Sequence, residues 1–91
     1  METWRFRVYG RVQGVGYRAH CQDAAQALGL GGWVRNRADG TVEAVASGPV
    51  GQLERLHAWM QEGPPAGHVS KVEVEKGGSE RFDGFECRPS A

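Results

Sequence analysis

Cysteine, histidine and long apolar runs are all scarce in this 91-residue chain. Cys21 and Cys87 could form at most one bridge, and they give neither a disulfide framework nor CxxC metal spacing. They are read as reduced, partly buried thiols. His20, His57 and His68 are scattered, without a ligand pattern such as HExxH, so no metal site is expected. No stretch is long or apolar enough to span a membrane. The opening METWRFRVYG alternates apolar and charged residues, unlike the apolar core of a signal peptide. The expectation is therefore a cytoplasmic protein.

Net charge is also lacking, with 11 basic and 11 acidic residues. Its distribution is uneven. Residues 1–37 carry six arginines (5, 7, 11, 18, 35, 37) against Glu2 and Asp23. Residues 38–91 carry five cations against nine acids. A local positive field within a neutral chain suits a small anion better than a long polyanion. The length suits a single domain, residues 1–91, with a modest core.

Two periodicities divide the chain. Trp4, Phe6 and Val8 alternate with Arg5, Arg7 and Tyr9, as in a strand buried on one face. Tyr17, Cys21, Ala24, Ala25 and Leu28 share one helical face, and Gly29 ends it. GGWVRNRADGTVEAVASG reads as two strands around a turn at Asp39-Gly40, where both residues tolerate positive φ. Val42, Ala44 and Ala46 should face the core. Ser47-Gly48-Pro49 opens a second helix with proline in its first turn, and Leu53, Leu56 and Met60 give its apolar face. HVSKVEVEK is a fourth strand, and FECRP a short last one.

The order β-α-β-β-α-β, plus a short terminal strand, predicts an α+β, ferredoxin-like sandwich: an antiparallel sheet with both helices on one face. In this topology the first two strands run parallel with the third between them. Their carboxyl ends share one edge of the sheet, so residues 18 and 36 should be near neighbours.

That edge carries the stretch GRVQGVGYR, residues 10–18. A glycine turn that opens a helix aims several backbone N–H groups in one direction. Such a nest binds phosphate or sulfate without a special side chain. Gly14 and Gly16 allow close approach, and Arg18 adds a planar fork for phosphate oxygens. From these residues alone, the glycines could also serve only to turn the chain, and Asn36 only to favour the hairpin. Gly14 to Ala19 fits GxGxxG/A, but a dinucleotide fold needs a second half that this chain lacks, and no GKS or GKT follows as in a Walker loop. Sandwiches of this type also include RNA-recognition domains. Tyr9, flanked by Arg5 and Arg7, is the stacking candidate, but the aromatic RNA-binding pattern is absent and no nucleic-acid partner is expected.

Taken together, GRVQGVGYR and GWVRNRADGTVE closely resemble the two signatures of the acylphosphatases. Length, element order and motif spacing agree as well. The departures are Tyr17, where phenylalanine is common, Gly16, at a variable position, and the ending FECRPSA. The resemblance implies a small cytosolic monomer with the ferredoxin-like fold and no metal or cofactor. It implies hydrolysis of a small-molecule acyl phosphate to a carboxylate and inorganic phosphate, with phosphate or sulfate as product-like ligand. It assigns Arg18 and Asn36 as catalytic, the latter orienting the attacking water. Gln13, Gly14, Val15, Gly16, Tyr17 and Arg18 form the expected substrate-binding set.

Overall fold

The computed structural model covers residues 1–91. Its elements are β1 (Glu2–Arg11), α1 (Tyr17–Ala27), β2 (Gly31–Asn36), β3 (Val42–Gly48), α2 (Val50–Glu62), β4 (His68–Glu75) and β5 (Phe85–Cys87). The sheet order is β4-β1-β3-β2-β5. β1 and β2 each pair antiparallel with β3, which separates them, as the predicted topology requires.

One core lies between the sheet and the helices. Trp4, Phe6 and Val8 point inward from β1 and are 1% exposed or less. Val42, Ala44 and Ala46 do the same from β3. Tyr17, Cys21 and Ala25 recur every fourth residue along α1 and meet Leu53, Leu56 and Met60 of α2 in the same cluster. Burial in this apolar layer pushes the Cys21 thiol well above its ordinary range, so it stays protonated. Cys87, by contrast, is exposed, and neither cysteine is bridged.

The sheet is mixed rather than antiparallel throughout, because β5 pairs parallel with β2. The chain leaves β4 at the end of the sheet where β1 and β2 begin. It then crosses that end, with the Thr3 hydroxyl donating to Glu80 O at 2.6 Å and Gly32 N–H donating to Gly84 O at 2.9 Å. A strand that starts there must run in the direction of β2.

Two local expectations also change. Pro49 caps α2 from just outside, with φ −62° and ψ 141°, instead of sitting in its first turn. In the β2–β3 turn only Gly40 has positive φ, at 90°, while Asp39 does not. Asp39 holds the turn through its carboxylate, which accepts from Thr41 N–H at 3.0 Å and from the Thr41 hydroxyl at 2.6 Å.

The open face of the sheet gathers most of the amino-terminal arginines. Glu43 of β3, with its side chain only 5% exposed, accepts from Arg5 Nη1 at 3.0 Å, Arg35 Nε at 2.9 Å and Arg37 Nη1 at 2.9 Å. Burial opposes ionisation of Glu43, but the three guanidinium hydrogen bonds outweigh it and hold its carboxyl below the usual range. Arg7 pairs with Asp39 at 3.4 Å. The uneven charge along the sequence is thus largely cancelled in space. Of the six arginines in residues 1–37, only Arg11 and Arg18 lack a carboxylate partner.

Candidate active site

The cradle lies where β1, α1 and β2 converge at one edge. Beyond β1 the chain enters a turn in which Gly14 has φ 74° and Gly16 has φ 79°. Side chains disfavour both conformations, so glycine is required at each if the turn is to form without strain. Gly16 is also the residue from which α1 starts, and no side chain caps that start. The first intrahelical bond is His20 N–H to Gly16 O, at 3.1 Å. The N–H groups of Gln13 through Ala19 consequently have no acceptor in the protein. Seven consecutive donors at a helix start, with two left-handed glycines among them, have the form of an anion nest.

A cleft of about 210 Å³ opens over this nest. Gly14, Gly16 and Arg18 line it from the loop and helix, and Asn36 lines it from the end of β2. Arg18 at the start of α1 and Asn36 at the end of β2 therefore share one cleft. The Arg18 guanidinium is held by a donated bond from Nη1 to Arg88 O, at 3.0 Å. No carboxylate competes for it. The backbone of Asn36 is fixed on both sides: it pairs with Val42 in β3, and its carbonyl accepts from Ala91 N–H at 3.0 Å. No hydrogen bond within the protein occupies its side-chain amide.

The remaining residues of the expected set are placed differently. The Gln13 side chain does not line the cleft. Its Nε2 donates to Arg37 O at 2.7 Å and to Thr41 O at 2.9 Å, tying the loop to the β2–β3 turn. The Tyr17 ring lies in the core at 1% exposure, and its hydroxyl donates to Met60 O at 3.0 Å. Burial pushes that phenol well above its ordinary range. Only its backbone N–H is left without a partner. Val15 is half-buried and packs against the core.

Sequence reasoning missed the segment after β5. Arg88 N–H donates to Val34 O at 2.8 Å, and Ala38 N–H donates to Ala91 O at 3.0 Å. Residues 88–91 thus run alongside the end of β2 and touch both Arg18 and Asn36. The only signal available was FECRP itself, which shows a strand but not its neighbour. No three His, Cys, Asp or Glu side chains come together in a way that could hold a metal ion.

The fold is a ferredoxin-like sandwich whose sheet edge brings together a run of unpaired backbone donors, an arginine without a carboxylate partner and a free amide, an arrangement with the chemistry to receive a small anion. The comparisons with known proteins make this specific. The acylphosphatase family profile matches residues 4–87. An acylphosphatase of Cupriavidus pinatubonensis is 62% identical over 90 residues, covering 99% of each chain. One of Cupriavidus necator is 65% identical over 89 residues, covering 98% of this chain and 96% of the relative. The crystal structure of an acylphosphatase from Bacillus subtilis superposes with a TM-score of 0.94 at 37% identity, covering 97% of this chain and 99% of that one. This chain belongs to the acylphosphatase family.

Proposed function

We propose that the cleft holds the phosphoryl group of an acyl phosphate on the N–H groups of residues 14–18 and the Arg18 guanidinium, while Asn36 places the attacking water. The overall activity follows from the family: the chain is an acylphosphatase, a metal-independent hydrolase of the carboxyl–phosphate anhydride. The observation that carries the residue assignment is the run of backbone donors without acceptors, opening into the same cleft as Arg18 and Asn36.

The chemistry suits so sparse a site. The bond that breaks joins phosphorus to the acyl oxygen, and the bond that forms joins phosphorus to the water oxygen. The departing carboxylate has a conjugate acid of pKa roughly 4, so it leaves without a general acid. Transfer of a phosphoryl group passes through a loose, anionic transition state, for which positioning and charge stabilisation do most of the catalysis. The amide of Asn36 does not titrate in this range and cannot remove a proton. It can hold water in line with the scissile bond. No carboxylate or imidazole lines the cleft. The substrate's own phosphoryl oxygens are therefore the base at hand for the proton that the water releases.

Arg18→Ala should abolish both turnover of benzoyl phosphate and competitive inhibition by inorganic phosphate, in assays run with a chelator present. Near-normal activity would sink the assignment. Asn36→Ala should lower kcat by about 100-fold or more, the scale at which positioning acts, with inhibition by phosphate nearly intact. If phosphate inhibition collapses instead while kcat holds, Asn36 is a ligand to the phosphoryl group. The same reading has residues 1–91 acting as one domain, as a monomer in the cytoplasm, with phosphate as product-like ligand. Light scattering behind gel filtration, with and without phosphate, tests the monomer.

A further inference from the structure

We infer that Ala19 and Cys87 form the acyl-facing wall of the cleft and decide which acyl groups the enzyme accepts. The inference rests on the phosphoryl assignment above and goes on to the other half of the substrate. Within the cleft, Gly14, Gly16 and Arg18 serve the phosphoryl group and Asn36 serves the water. Val12 and Tyr17 also line it, but each is only 1% exposed and offers almost no surface. Two lining residues remain, and both are exposed: Ala19 in the first turn of α1 and Cys87 at the end of β5.

These two stand on facing elements that are tied together. Gln22 Nε2 donates to Phe85 O at 3.1 Å, and Gln26 Nε2 reaches the same carbonyl at 3.4 Å. The amides of α1 thereby fasten the edge strand two residues before Cys87. The slot between Ala19 and Cys87 therefore lies between two elements that are hydrogen-bonded to one another. A methyl group and a thiol give it a small, uncharged, weakly polar wall. Neither carries a charge or a long side chain, so the wall they form discriminates among acyl groups by size. The tolerance of pockets of this kind is graded, with differences of about 10–200-fold for modest changes in bulk.

The test compares acetyl phosphate with benzoyl phosphate. Cys87→Trp fills the slot from the strand side, and Ala19→Leu fills it from the helix side. Each is expected to lower kcat/KM for benzoyl phosphate by about tenfold or more relative to acetyl phosphate. The inhibition constant for inorganic phosphate should stay within about twofold of the wild-type value, since phosphate lacks the acyl half. Cys87→Ser, which keeps the size, should keep the wild-type substrate ratio. Alkylation gives a second readout that requires no variant. N-ethylmaleimide should modify the exposed Cys87 ahead of the buried Cys21 and shift the ratio in the same direction. An unchanged ratio in both bulky variants, or an equal fall on both substrates, overturns the inference. If phosphate does not inhibit the wild-type enzyme, the phosphoryl reading fails and this inference fails with it.

Discussion

Glu43→Gln probes the link between the open face of the sheet and the active site. The wild-type carboxylate, 5% exposed, gathers three guanidinium groups within 3.0 Å. Glutamine keeps the shape and one acceptor oxygen but removes the only ion-pair partner of Arg5, Arg35 and Arg37. Removing one partner of a fully buried pair costs about 3–5 kcal/mol. Here the arginine side chains are 49%, 30% and 34% exposed, so water screens them after the change. The expected loss is therefore smaller, about 1–3 kcal/mol at pH 7. For a domain of this size each kcal/mol moves Tm by about 4–8 °C. The loss also has a pH signature. The Glu43 carboxyl is held below the ordinary glutamate range in the folded state. Its contribution is complete above the unfolded-state pKa and disappears as pH falls through the lower folded-state value. Urea unfolding of the two proteins from pH 7 downward should show a gap that is constant near neutrality and closes below the usual carboxylate range. A gap that does not change with pH, or no gap at pH 7, would refute the reasoning. Arg37 carries one of the carbonyls that receive Gln13, so kcat should fall with stability in this variant.

Gln13→Ala removes two bonds that pin the loop to the turn, and should cost about 1–2 kcal/mol in urea unfolding together with a lower kcat. Unchanged stability with lost phosphate inhibition would instead place that amide on the substrate. Tyr17→Phe removes the buried bond to Met60 O and should cost about 1 kcal/mol while leaving kcat/KM unchanged. A large fall in kcat/KM at unchanged stability would show that the hydroxyl acts on the substrate.

Much of the fold and half of the site could be read from the chain alone, for a physical reason. Trp4, Phe6 and Val8 announce a strand, and Tyr17, Cys21 and Ala25 a helix, because each pattern repeats with the backbone's own period. Gly14 and Gly16 mark the tight turn after β1 because a left-handed conformation demands glycine locally. Even the meeting of Arg18 with Asn36 follows from order, since two parallel strands around a third must end at the same edge.

Other features needed the tertiary structure. The amide of Gln13 and the phenol of Tyr17 lie within the signature stretch, yet one holds a turn and the other a core carbonyl. Nothing in the spacing distinguishes them from side chains facing the ligand. The surplus of amino-terminal arginines suggests a positive field, but cross-strand register sets Arg35 directly opposite Glu43 and Arg5 diagonal to it, and leaves Arg18 without a carboxylate. The direction of β5, and with it the placement of Cys87 and Arg88 beside the cleft, depended on where the chain leaves β4. The elements, the left-handed glycine turn and the end of the sheet where it lies are legible in the chain, because backbone period, glycine conformation and element order are written along it. The tertiary structure decided which side chains are free to meet a substrate, because that depends on partners brought from distant strands.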